Sequence, residues 1–513
     1  MSTVADNNKR ILKNTMLLYF RMFFIMAISL YTSRVVLKTL GVEDYGIYNV
    51  VGSVVAMMGV LNNAMSVSTQ RYLTFEIGTK NFVKLKQIFS VCVTIYLILS
   101  IIILLLAETV GLWFLNTQLL IPHYKIDAAN WVYQFSIFSS IVTLLLTPYN
   151  ASIISHEKMN VYAYVSIIDV ILKLLAVYIL LMIPYDRLII YGILIFICHL
   201  IIMLIYRAYC IRNFSECRYS FYWESGLVKE LISYSGWNLF GSLSSLIKGQ
   251  GLNILLNMFF NPTVNAARGI AYQINVAVTM FFSNFYTAVR PQITKYYAYG
   301  DLENMFKLVF RSSKLSYYLI LLISLPIMIE TPFIINLWLG EIPEYVVIFT
   351  RLILIITAID SVSHPLMTTA HATGDIKLYQ ASVGTTTILN LPISYVFLKL
   401  GFSPVVVFEI SICISIICLF MRLWIVNRLL NFPVKDYIIH VLGDSLKVTF
   451  ISLFIPSVLY YYLDNSFCSF ICITLLSIVV TIFSVYCIGL TSAEKEFVDS
   501  FIKRKFCSKY NKR

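Results

Sequence analysis

Long apolar runs separated by short polar stretches recur fourteen times along the 513-residue chain. They fall near residues 14–38, 46–70, 88–115, 128–150, 161–183, 188–208, 230–257, 264–289, 309–336, 344–368, 378–398, 403–426, 445–463 and 467–489. Each approaches or exceeds the ~20 apolar residues that carry a helix across a bilayer. The pattern predicts an all-α polytopic membrane protein with about fourteen transmembrane helices. No polar interval has the size of a soluble domain. The largest lie at 209–229, 290–308, 427–444 and the C-terminal tail, and the longest outer loop is expected around 116–127.

Composition agrees with the pattern: 59% of residues are hydrophobic, 13% are charged, and the mean hydropathy is +0.80. A soluble domain carries roughly 25% charge. The segment "MSTVADNNKRILKNT" shows no signal-peptide cleavage pattern, so the first run is expected to be a retained span. The net charge of +13 raises the question of nucleic acid, and the placement of the basic residues answers it. With a cytoplasmic N-terminus, 29 of the 39 Lys and Arg residues fall on cytoplasmic segments. Only Lys38, Lys125, Arg187 and Lys399 fall on outer ones. This positive-inside bias places both termini in the cytoplasm and turns the basic excess, including the tail "IKRKFCSKYNKR", toward anionic lipid. Membrane lipids are expected partners and nucleic acid is not.

An internal repeat underlies the fourteen runs. Pro148, Tyr162 and Tyr178 recur as Pro365, Tyr379 and Tyr395 at the same spacing; Gly46, Gln70 and Gly78 recur as Gly269, Gln292 and Gly300. The pairing matches spans 1–6 with spans 7–12 in the same order and predicts two parallel six-helix lobes plus two additional C-terminal helices. The expected divisions are 1–212 for the N-lobe, 213–428 for a cytoplasmic linker and C-lobe, and 429–513 for spans 13 and 14 with the basic tail. A cavity between two such halves is the usual site of a transporter.

Charges inside apolar runs are costly and usually face a cavity. The cations are Arg21, Arg34, Lys173, Lys248, Arg268 and Arg351. Arg21, Arg34, Arg268 and Arg351 lie within about two turns of a span end, where a long side chain also reaches the interface. Lys173 and Lys248 lie near mid-span. Asp169 stands four residues before Lys173, on one helix face, where the two also read as a self-neutralising pair. Asp169 and Asp360 are the deep acids and the candidates for coupling to Na+ or H+. Cations outnumber deep acids, a balance suited to an anionic substrate such as a phosphate or diphosphate headgroup. In "SLIKGQGLNILLN", Gly249 and Gly251 read either as a bend lining a cavity or as close helix packing. With Pro148 and Pro365 they are the candidate gate or hinge positions.

The six histidines are scattered, the ten cysteines form no CxxC pair, and P-loop, HExxH and GxSxG motifs are absent. No metal site, no cofactor and no enzymatic activity are expected. Glu43 and Asp44, in "LGVEDYGIYNVV", fall just past Gly41 at the outer end of span one. They read as the capped first turn of the next helix, with an outer gate pairing to a cation such as Arg268 as the other reading.

Several stretches carry a family resemblance: "LGVEDYGIYNVV", "STQRYLTFEIGTKN", "NAARGIAYQIN", "AVRPQITKYYAYGD" and "TTAHATGDIKLYQAS". Together they resemble the polysaccharide-biosynthesis flippases of the multidrug/oligosaccharidyl-lipid/polysaccharide (MOP) exporter superfamily, over nearly the whole chain. The resemblance implies a flippase in the bacterial inner membrane that moves undecaprenyl-diphosphate-linked oligosaccharide by alternating access. Such a flippase serves O-antigen, capsule or lipopolysaccharide biosynthesis, alongside other polysaccharide-assembly proteins. Lipid II flippases of the same superfamily carry cavity arginines in spans one and eight, which implies that role for Arg21 and Arg268. A cation-coupled drug exporter is the alternative within transport, and a membrane glycan polymerase or ligase is the alternative enzyme class.

Overall fold

The computed structural model describes residues 4–56, 59–117, 122–183, 185–260, 262–340, 342–463, 466–492, 494–496 and 499. The basic tail from residue 500, with Cys507, lies outside the described residues. The chain is an all-helical, multi-pass membrane protein with no strand among the described residues. Among the described residues fourteen long helices follow the order of the fourteen apolar runs, run 46–70 being split between the helical stretch 42–56 and α2. They are α1 (Arg10–Gly41), α2 (Gly59–Thr79), α3 (Phe82–Thr117), α4 (His123–Ser155), α5 (Met159–Met182), α6 (Arg187–Asn213) and α7 (Ser225–Phe259). There follow α8 (Pro262–Ala298), α9 (Leu302–Ile329), α10 (Val346–Thr373), α11 (Lys377–Lys399), α12 (Val406–Leu430), α13 (Val434–Tyr462) and α14 (Phe467–Gly489).

Among the described residues, eleven of these helices are both long and apolar enough to cross a membrane. The other three, α2, α7 and α8, are long but more polar: α2 carries Asn62, Asn63, Gln70 and Arg71, and α8 carries Asn265, Arg268, Gln273 and Asn275. In a bilayer such side chains turn away from lipid.

The chain turns from α1 into the next helical stretch, residues 42–56, at a single residue. Gly41 adopts φ 82°, ψ 169°, where a side chain would be strained. Past it, the Tyr124 hydroxyl donates to Glu43, and Lys125 Nζ lies 3.0 Å from Asp44 Oδ1. The two acids therefore anchor the turn to the start of α4.

By Cα packing the chain forms two compact units. The first comprises Met1–Leu243, Thr287–Leu302 and His371–Ala381; the second comprises Ser244–Tyr286, Glu303–Ala370 and Ser382–Arg513. The divisions fall inside α7, α8, α10 and α11 and at the first residue of α9.

The core of the first unit includes Leu85, Phe89, Tyr149, Tyr206 and Cys210. Polar anchors surround its helix ends. Glu157, at φ 58°, is buried and receives Arg10 Nε at 2.8 Å, Lys295 Nζ at 2.5 Å and the Gln292 amide. A buried carboxylate is tolerable only with such partners. Arg71 donates from Nη2 to the Ala372 carbonyl at 2.9 Å, with its guanidinium over the Tyr72 ring at 4.5 Å. Gly374, at φ 86°, passes directly beside it. In the polar segment after α6, Glu216 is buried beneath His156, whose ring stacks on Phe214 at 4.1 Å. Burial alone would raise the Glu216 carboxyl. The 2.5 Å contact with His156 and a backbone hydrogen bond outweigh burial and hold it below the ordinary carboxylate range.

In the second unit, α9, α13 and α14 meet through Tyr318, Leu321, Leu325, Val448 and Ile473. α8, α9 and α10 meet through Val278, Phe282, Ile320 and Leu354. The expected run 309–336 is two helices: α9 ends before Glu330, and a short helix, Thr331–Leu339, restarts with Pro332 in its first turn.

Candidate functional site

The second unit holds an internal cavity of about 310 Å³ between α7, α8, α10, α11 and α12. Helix periodicity builds its walls. From α7 come Ser245, Lys248, Gly249 and Leu252, spaced three, one and three residues apart and therefore on one face. From α12 come Ser411, Ser415, Cys418 and Arg422, spaced four, three and four. Asn275 of α8 and Thr357 and Asp360 of α10 complete the polar lining.

Three charges share this cavity: Lys248, Asp360 and Arg422. Arg422 donates to Ser363 Oγ and lies 3.9 Å from Asp360 Oδ1, too long for a tight ion pair. Lys248 makes no hydrogen bond or ion pair among the described residues, and it shares the field of Asp360 and Arg422. Two cations to one acid leave a net positive interior. In the same lining, Thr357 Oγ1 donates to Asn275 Oδ1 at 2.5 Å. This arrangement can accept an anion through an ammonium and a guanidinium, with Asp360 as the group an incoming anion would displace from Arg422.

The remaining candidates are distributed as follows. Arg268 donates to the Gly249 carbonyl at 2.7 Å and to Asn253 Oδ1 at 3.1 Å, and its guanidinium stands over Tyr272 at 4.4 Å. It thus ties α8 to α7 beside the cavity. Arg351 donates from Nε to the Met328 carbonyl at 2.8 Å, joining α10 to α9. Helix α7 continues unbroken through "KGQG". A Cβ on Gly251 would stand 2.6 Å from Leu391 Cδ1, so this glycine serves close packing against α11 and not a bend. Pro148 and Pro365 also lie inside continuous helices.

In the first unit, Arg21 stands over the Tyr162 ring at 4.3 Å, and its buried Nε has no partner. Lys173 Nζ and Asp169 Oδ2 are 2.8 Å apart, the one-face pair that the four-residue spacing predicts. Arg34 is exposed. Arg422 does not stand out in the sequence because it sits near the end of run 403–426, beside the cytoplasmic flank. The polar stripe at 411, 415, 418 and 422 was the available signal. No cluster of three or more metal-ligating side chains occurs among the described residues.

The fold and this interior define a class: a polytopic helical membrane protein with a charged internal cavity. No protein-family model matches the chain, and no curated relative does. Solved structures do match. An outward-facing MATE family multidrug-resistance transporter of the MOP superfamily superposes with TM-score 0.71 at 13% identity, covering 83% of this chain and 97% of that one. A MATE transporter in its bent conformation gives 0.71 at 13% identity, covering 84% and 99%. A MOP superfamily transporter from Pyrococcus furiosus, described as having a binding pocket of reverse polarity that suggests different function, gives 0.67 at 14% identity, covering 82% and 96%. The chain therefore has the MATE-like transporter fold.

Proposed function

We propose that the protein is a flippase for undecaprenyl-diphosphate-linked oligosaccharide in surface-polysaccharide biosynthesis. It would act at the bacterial inner membrane with both termini in the cytoplasm. The observation that carries this reading is the pair of cations, Lys248 and Arg422, facing one acid in the cavity of the second unit. A diphosphate carries the complementary charge, and guanidinium and ammonium groups both recognise phosphate oxygens. The motif resemblance supports the glycan-lipid substrate, and Arg21, Lys173 and Arg268 extend the cationic interior.

A cation-coupled drug exporter is the second reading, favoured by the multidrug transporters among the superposed structures. A cavity for cationic drugs calls for an excess of acid, whereas here cations exceed it. The neighbour described as having reversed pocket polarity fits a fold whose binding pocket can differ in polarity and function. A polymerase or ligase is disfavoured by the short outer loops. Na+ or H+ coupling would fall to Asp360 or Asp169.

The test is surface polysaccharide in a deletion strain complemented with variants. Lys248→Ala, Arg422→Ala, Arg21→Ala and Arg268→Ala at normal protein levels are expected to reduce export and to accumulate the lipid-linked intermediate inside. Unchanged polysaccharide in all four would defeat the cationic-cavity reading.

A further inference from the structure

The first unit contains a second cavity, of about 260 Å³, whose chemistry is unlike that of the charged one. Its walls come from α2, α4, α6 and the helical stretch after Gly41. Helix α4 contributes Ser136, Ser139, Ser140 and Thr143, a stripe at the i, i+3, i+4, i+7 spacing of one helix face. Opposite stand Asn62, His199 and Tyr48.

The hydrogen-bonding state of these groups is the informative feature. A serine in a membrane helix ordinarily satisfies its hydroxyl on the carbonyl four residues earlier, as Thr143 does on Ser139 at 2.8 Å. Ser136, Ser139 and Ser140 make no side-chain hydrogen bond among the described residues. The Tyr48 hydroxyl has none either. Asn62 accepts from Thr147 at 2.8 Å through Oδ1, which leaves its amide N–H groups open. His199 Nδ1 is buried without a partner. Six groups, donors and acceptors mixed, thus converge on one space within an apolar span, and no fixed charge lines it. Unpaired polar groups at this depth are costly unless something polar fills the space.

We infer that this cavity is a sugar-binding subsite that takes a neutral, polyhydroxylated ring. A sugar presents hydroxyls that both donate and accept, matching serine, tyrosine, amide and imidazole groups without ionic pairing. Tyr48 adds an aromatic face, braced edge-on by Tyr191 at 4.8 Å. A ligand-sized pocket measures roughly 300–1,000 Å³, so this space holds a part of a larger molecule. The identity of the carrier rests on the flippase reading.

The test uses the full-length protein in nanodiscs, with undecaprenyl diphosphate carrying an oligosaccharide and undecaprenyl diphosphate without sugar as probes. Wild type is expected to bind the glycosylated lipid more tightly. The Ser136→Ala/Ser139→Ala/Ser140→Ala variant is expected to lose about tenfold or more toward the glycosylated lipid only. Equal affinities before and after substitution, or equal losses for both lipids, would overturn the subsite.

A second readout separates this inference from the flippase reading. Ser140→Cys is alkylated with a small thiol reagent, with and without the free oligosaccharide released from the same lipid. If neither lipid binds wild type but the free oligosaccharide slows alkylation at Cys introduced there, the subsite stands and the flippase reading falls. If neither lipid binds and alkylation is unaffected, both fall.

Discussion

Replacing Gly374 with alanine tests a closely built polar joint of the first unit. Gly374 has φ +86°, and an added Cβ would stand 2.6 Å from Arg71 Nη2 and 3.1 Å from its Cζ. Two costs follow. Holding an L-residue in the left-handed region costs about 1–2 kcal/mol. Pushing the guanidinium off the Ala372 carbonyl removes a charge-assisted hydrogen bond worth about 1.5–3 kcal/mol. Gly374→Ala should therefore destabilise the protein by about 2.5–5 kcal/mol in total. Arg71 cannot swing away freely, because it is buried and stands over Tyr72 and Phe75. The assay is reversible unfolding in mixed detergent micelles, run as a double-mutant cycle with Arg71→Ala. In the Arg71→Ala background only the backbone strain remains, so the glycine substitution should cost about 1–2 kcal/mol there. A cost below ~0.5 kcal/mol in wild type, or the same cost in both backgrounds, would refute the reasoning.

Gly251→Ala should destabilise by about 1–3 kcal/mol through overpacking on Leu391, and Leu391→Ala should recover part of it in the same unfolding assay. Glu43→Gln with Asp44→Asn should lower stability by about 1 kcal/mol or less and leave polysaccharide export unchanged, since these acids anchor a turn. The Glu216 carboxyl is depressed in the folded state, so its contribution is present above the unfolded carboxyl range near ~4.3 and is lost as pH falls through the folded value. The melting temperature of Glu216→Gln should accordingly lie below wild type at neutral pH, and the gap should close as pH falls from the unfolded carboxyl range through the lower folded value.

The helices were legible in the sequence because bilayer-length apolar runs have few other interpretations. The Gly41 break and the Lys173–Asp169 pair were legible for the same local reason, a glycine before an acidic turn and a four-residue spacing. The charged cavity was half legible: Lys248 and Asp360 stood out as deep charges, while Arg422 hid at a run's end. Long-range partners were not readable. Arg351 is held by the Met328 carbonyl and Arg71 by the Ala372 carbonyl, and a backbone oxygen leaves no trace in residue identity. The "KGQG" segment stays helical with Gly251 packed beside Leu391, and glycine content alone does not separate such packing from a bend.

The most direct measurement is translocation of a fluorescently tagged undecaprenyl-diphosphate oligosaccharide across proteoliposomes containing the purified protein. Wild type should move the lipid between leaflets, and Lys248→Ala with Arg422→Ala should slow that movement strongly. Movement of a cationic drug with no movement of the glycolipid would contradict the account.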